Sequence, residues 1–142
     1  MEALAYKTEL IQDFKTAKLY RVSDESAVVL EATKNYITID EFKDIFSKIT
    51  EYVKSNRIEK LIFDKRNLTV FHQPSMEWYY TEWKNEMAKS GLTKHRKILP
   101  NDDVFKHSVK IGKASLADKY PDAAFHNLDI QYCDSIEECI EK

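Results

Sequence analysis

The sequence predicts an α/β fold: a mixed, mostly parallel sheet of about five strands with helices packed on it. Three observations predict it. Short apolar runs of strand length alternate with longer segments of helical period, as parallel α/β folds require. The first two strand-like runs are separated only by the polar Asp24-Glu25-Ser26, the spacing of an antiparallel hairpin. The 142 residues hold two glycines and three prolines, with no repeat, linker or low-complexity stretch, so one domain over 1–142 is expected.

Residues 1–16 read equally as a short strand or a helical arm. Lys18–Ser23 and Ala27–Thr33 are strands, and Val28, Val29 and Leu30 form the continuous apolar run of a central one. Thr38 and Glu41 have capping-box spacing, with Ile37 and Phe42 placed as a hydrophobic staple. Ile39, Phe42, Phe46, Ile49 and Val53 then recur at steps of three and four, which carries a helix to about Asn56. Lys60–Asp64 is a strand around Leu61-Ile62-Phe63. Ser75 is read as the cap of the next helix, with Pro74 just outside it and Gly91 after its last turn. His95–Leu99 is a strand made unusually basic by Lys94, Arg96 and Lys97. A helix follows Pro100-Asn101-Asp102-Asp103, with Phe105, Val109, Gly112 and Leu116 on its buried face, and stops before Pro121. Asp129–Cys133 is the last strand, and Ser135 with Glu138 caps a terminal helix. The expected order is β-β-α-β-α-β-α-β-α, with right-handed crossovers.

Composition excludes more than it assigns. A net charge of −2 argues against a broad nucleic-acid-binding face. No run of about 20 apolar residues exists to span a membrane. MEALAYKTEL lacks a basic region followed by an apolar run, and Cys133 and Cys139 have neither metal nor redox spacing; a cytoplasmic protein with free thiols is expected. Two glycines cannot build a glycine-lined phosphate cradle, and no G-x-S-x-G elbow occurs. His72, His95, His107 and His126 show no metal-ligand spacing with one another or with the cysteines, so no metal or cofactor is expected.

Two places remain. Ligands in open α/β sheets gather at the C-terminal strand ends. There the chain offers Asp64-Lys65-Arg66-Asn67, Pro100-Asn101-Asp102-Asp103 and Asp134-Ser135, although Asp102 and Ser135 also serve as helix caps. The second place is the aromatic helix. Tyr79, Trp83 and Met87 form its core stripe, flanked by Trp78 and Tyr80. Either the buried face is broad, or one flank is exposed as a homodimer interface or an apolar ligand groove.

The order of elements and the run LIFDKRNLTVFHQPSMEW resemble the STAS superfamily, the fold of bacterial anti-sigma-factor antagonists, shared more loosely with CRAL-TRIO lipid-binding domains. The resemblance covers roughly Lys18 to the C-terminus. It is nearest to small bacterial STAS-like proteins with a D-x-R-x loop, here Asp64-Lys65-Arg66-Asn67, before a W-x-x-x-x-W helix, here Trp78 to Trp83. The antagonists' D-S-S-G loop falls on His72-Gln73-Pro74-Ser75, with Pro74 at the phospho-acceptor position. The resemblance therefore implies a STAS-like fold without the phospho-serine switch.

Three functions follow as expectations. The first is a non-catalytic binding module for a protein partner, using the helix from Ser75 to Lys89 and the loop before it. The second is a carrier of a small apolar ligand or lipid. The third is an enzyme with Asp64, Arg66 and His72 as acid, anion clamp and base. The candidate contact residues are Asp64, Arg66, Asn67, His72, Trp78, Tyr80 and Asn101.

Overall fold

The computed structural model describes residues 6–142. Its core is one six-stranded sheet in the order β1-β2-β3-β4-β5-β6, so the neighbours in the chain are neighbours in space. β1 (Thr8–Asp13), β2 (Ala17–Val22) and β3 (Ala27–Ala32) form an antiparallel meander. β4 (Lys60–Asp64), β5 (Lys94–Ile98) and β6 (Asp129–Tyr132) continue from β3 in parallel. The expected five strands are thus six. The difference is β1, the segment the sequence leaves ambiguous, while residues 1–5 lie outside the described residues. TELIQD gives little signal because β1 is an edge strand with mostly exposed side chains and a register break between Leu10 and Gln12.

Right-handed connections between strands that advance in one direction put their helices on one face. That face carries α1 (Ile39–Asn56), then α2 (Gln73–Trp78) and α3 (Lys84–Lys89), and α4 (Asp103–Lys119). Phe42, Phe46 and Val53 of α1, Tyr79, Trp83 and Met87 of the aromatic helix, and Phe105, Val109 and Leu116 of α4 pack there on Val28, Leu30, Leu61 and Phe63. The alternate strand residues Val29, Ile62 and Ile98 point the other way, onto Ile136, Cys139 and Ile140 of the short α5 (Ile136–Glu141). Both cysteines are free and buried on this side.

Local chemistry sets the boundaries. Thr38 caps α1 through Glu41 N–H at 3.2 Å, and Ser135 caps α5 through Glu138 N–H at 3.1 Å. Gly91, at φ 91°, ends α3, and Leu92 N–H reaches back to Met87 C=O at 3.1 Å, a Schellman closure that needs the left-handed residue. One boundary moves. α2 begins at Gln73 with His72 as its N-cap, so Pro74 lies inside the first turn and Ser75 is not the cap. Proline's fixed φ and missing N–H suit that turn, and the Ser75 hydroxyl pairs with His72 Nδ1 at 2.8 Å instead.

α2 and α3 are one continuous helix joined by a π turn, Tyr79–Trp83, in which Lys84 N–H bonds Tyr79 C=O. The wider turn brings Tyr79, Tyr80 and Trp83 all to the buried side. Single π turns recur at functional positions.

Candidate functional site

The C-terminal end of β4 opens into a pocket between α1, α2 and α4. Its walls are apolar, with Phe42, Phe63, Leu68, Phe71, Met76 and Val109; its polar groups are Lys65, His72, Ser75 and Tyr79. The cavity is about 60 Å³. That is several times what a water requires and less than half of the roughly 150 Å³ that holds a benzene ring, so a four-carbon ligand would extend into the pocket's open mouth. Gly112 keeps α4 close at this point. A Cβ there would stand 2.5 Å from Gln73 Oε1, 3.0 Å from Met76 Sδ and 3.1 Å from Phe71 Cζ.

Beneath the pocket lies a cluster of bases. Strand alternation aims Leu61 and Phe63 of β4 at the helices, and Lys65 continues that row just past the strand. His95 and Lys97 occupy the same face of β5, and Lys84 descends from α3. Lys84 is 0% exposed, His95 1% and Lys97 1%. Three lysine nitrogens surround the Tyr79 ring, with Lys84 Nζ 4.4 Å, Lys97 Nζ 5.2 Å and Lys65 Nζ 5.9 Å from its centroid. Such contacts offset part of the desolvation cost. No carboxylate offsets the rest: the charged groups that bear on Lys84 and Lys97 are other lysines, Lys113 among them.

Each base responds as burial beside like charge dictates. Lys84 and Lys97 are held well below the ordinary lysine value, first by burial and then by neighbouring lysines. Burial pushes Lys65 down to about 8. His95 is driven far down by burial and by Lys84, which keeps it neutral. It donates from Nε2 to Leu92 C=O at 2.9 Å and accepts from Lys84 Nζ at Nδ1, also at 2.9 Å. Lys97 Nζ donates to the Tyr80 hydroxyl. Two groups have no such outlet among the described residues. The Tyr79 hydroxyl, in a residue 2% exposed, lacks a hydrogen-bond partner. Lys65 Nζ meets only rings, Phe63 at 4.9 Å besides Tyr79.

The residues singled out from the sequence scatter around this site. Asp64 is tied to Arg66 by a two-pronged pair at 2.9 and 2.8 Å, and also accepts Arg66 N–H at 3.1 Å. It belongs to the α5 side of β4, in the row of Ile62. His72 lines the pocket on the helix side, with its ring edge-on to Tyr36. The Asp64, Arg66 and His72 triad is therefore divided by the sheet. Asn67 anchors the loop, donating to Ala32 C=O at 2.9 Å. Arg66 and Asn101 do meet, with Asp134, along an open groove at the ends of β5 and β6. Trp78 stays partly exposed in a separate groove of about 730 Å³, with Lys43 Nζ 5.8 Å from its ring. Tyr80 is not a surface contact: the π turn rolls it inward to 0% exposure, where Phe125 covers it edge-on at 5.1 Å.

Lys65, Lys84, His95, Lys97 and Tyr79 were not among the expected site residues. Their signal is the strand Lys94-His95-Arg96-Lys97-Ile98, four basic positions in a row that is flanked on both sides by other strands. Among the described residues, no three His, Cys, Asp or Glu side chains stand together as metal ligands would. No helix among them is long and apolar enough to cross a membrane. No protein-family model, curated protein or solved structure matches the chain.

Proposed function

We propose that this domain is a non-catalytic binding module that takes a small ligand at the end of β4, the apolar part among Phe42, Phe71 and Val109 and an oxygen-bearing head toward Lys65 and Tyr79. The observation that carries it is the buried, unpartnered Tyr79 hydroxyl in a mostly apolar pocket that Lys65 also lines. Protein interiors rarely leave such a hydroxyl idle, because an unmade buried hydrogen bond costs about 1–3 kcal/mol. The pocket's size favours a short ligand over a lipid chain. The STAS-like kinship remains part of this proposal, supported by the run of parallel strands with each helix between neighbours. On that kinship the domain acts without a phospho-serine switch, since Pro74 holds the acceptor position.

Amide NMR titration with butanoate tests the pocket. Shifts concentrated at Leu68, Phe71, Met76 and Val109, and lost in Lys65→Met, are expected. An unchanged spectrum at millimolar butanoate would count against the site.

A second reading, an interaction surface on α2, is supported by the half-open Trp78 groove. In its homodimer form it predicts concentration-dependent sedimentation that Trp78→Ala abolishes while butanoate binding persists. A monomer at every concentration would remove that form.

A further inference from the structure

We propose that Lys65 holds a small aldehyde or ketone covalently, as an imine, inside the pocket at the end of β4. The inference rests on the pocket being a ligand site and names the chemical class of that ligand.

The buried lysines already have partners. Lys60 donates to two backbone carbonyls, Lys84 to His95 and Lys97 to Tyr80. Lys65, partly exposed, lines the pocket with no hydrogen-bond partner for its side-chain nitrogen among the described residues. An anionic head group would be attracted too, since His72 and Ser75 line the pocket along with Lys65 and Tyr79. A carbonyl needs only two of these groups: an amine to attack its carbon and a hydroxyl to hold its oxygen. The rings of Phe63 and Tyr79, 4.9 and 5.9 Å from Lys65 Nζ, supply the apolar contact that makes the amine a nucleophile. The apolar wall favours the uncharged form, and burial lowers the Lys65 value to about 8.

The step balances without oxidant or reductant. The lone pair of the neutral Lys65 Nζ attacks the carbonyl carbon and forms the C–N bond. The carbonyl oxygen takes up a proton as the nitrogen gives one up, leaving a carbinolamine. Its hydroxyl then departs as water with the nitrogen's second proton, and the C=N bond forms. The Tyr79 hydroxyl, unpartnered in a residue that lines the same pocket, is the group that would hydrogen-bond the oxygen while it gains charge. Hydrolysis reverses the sequence, so holding is reversible.

Reductive trapping tests this. The full chain is treated with limiting butanal and cyanoborohydride, and butylated positions are mapped by peptide mass spectrometry. Lys65 should be labelled at least about ten-fold faster than the exposed Lys48 and Lys54, because a larger share of it is neutral. Tyr79→Phe, which removes only an unpartnered hydroxyl, should slow Lys65 alone, and butanoate should protect Lys65 by competition. Labelling of Lys65 no faster than of Lys48 would overturn the imine. If butanoate still shifted the pocket amides in that case, the ligand site would stand and only its carbonyl chemistry would fall; silence in both experiments would remove the site as well.

Discussion

β4 and β5 bury cations on both faces, and the two faces treat them differently. Toward α5, Lys60 donates to the carbonyls of Cys139 and Ile140 at 2.9 and 2.7 Å. On the same side Arg96 bonds the Asp129 carboxylate at 2.9 Å and the Lys142 carbonyl at 3.0 Å. Helix ends leave carbonyls without intrahelical partners, and cations suit that end of the dipole. Two strand residues thus close a helix of six residues that would not hold by itself. Toward α1 to α4, Lys65, Lys84 and Lys97 meet rings, a histidine and a phenol. A buried cation that completes backbone hydrogen bonding serves the fold. One whose charge is left unbalanced costs stability, which supports the proposed ligand site.

Perturbing each face should sharpen the contrast. The largest effect is expected from Arg96→Met. It strips α5 and β6 of their shared anchor and should cost about 3 kcal/mol in urea denaturation, with early loss of hydrogen-exchange protection in α5. An unchanged midpoint would deny the α5-face cations a structural role. On the helix face, Gly112→Ala should cost about 1–2 kcal/mol by overpacking against Met76 and Phe71. It should also weaken butanoate binding, because those two side chains wall the pocket.

A smaller effect is carried by pH. Lys65 titrates near 8 folded against 10.5 unfolded. Between those values the unfolded chain binds more protons, so stability rises with pH there. Lys84 and Lys97, lowered further, extend the rise to lower pH. Tyr79 and Tyr80 act with the opposite sign: burial raises their hydroxyls, so stability is lost as pH passes their ordinary 10.0. Maximum stability should therefore lie on the alkaline side of neutrality. Lys60 on the other face is lowered as well, so Lys65→Met should flatten only part of the rise, above about pH 8. An identical pH profile in that variant would contradict the assignment.

The fold was legible where one signal dominates. Thr38 with Glu41, the stripe from Phe42 to Val53, and Phe105 to Leu116 in α4 each state a period and a cap, and the helices lie as read. The cap of α2 was misplaced by three residues, from His72 to Ser75, because Pro74 and Ser75 both fit a helix start, and only the His72–Ser75 pairing decides between them. Tyr80 was misjudged because spacing arguments assume 3.6 residues per turn, and the π turn does not obey that. The α5-face anchors and the helix-face cluster arise from one basic stretch, Lys94 to Lys97, whose alternation assigns Arg96 to one face and His95 and Lys97 to the other. The sequence flags that stretch as anomalous. What it lacks is the convergence of Lys65 and Lys84, from a loop and a helix, on the same ring.

The most direct measurement is the sign of two stability changes. In Lys65→Met an unpaired cation leaves an apolar pocket and nothing is orphaned, so the protein should gain about 1 kcal/mol, or roughly 2–4 °C in Tm, while losing butanoate binding. In Lys60→Met two helix-end carbonyls lose their donor, and the protein should become less stable by about 1–3 kcal/mol. Opposite signs are predicted. Destabilisation in both would mean that the helix-face lysine, like the α5-face one, serves the fold, and would contradict the account.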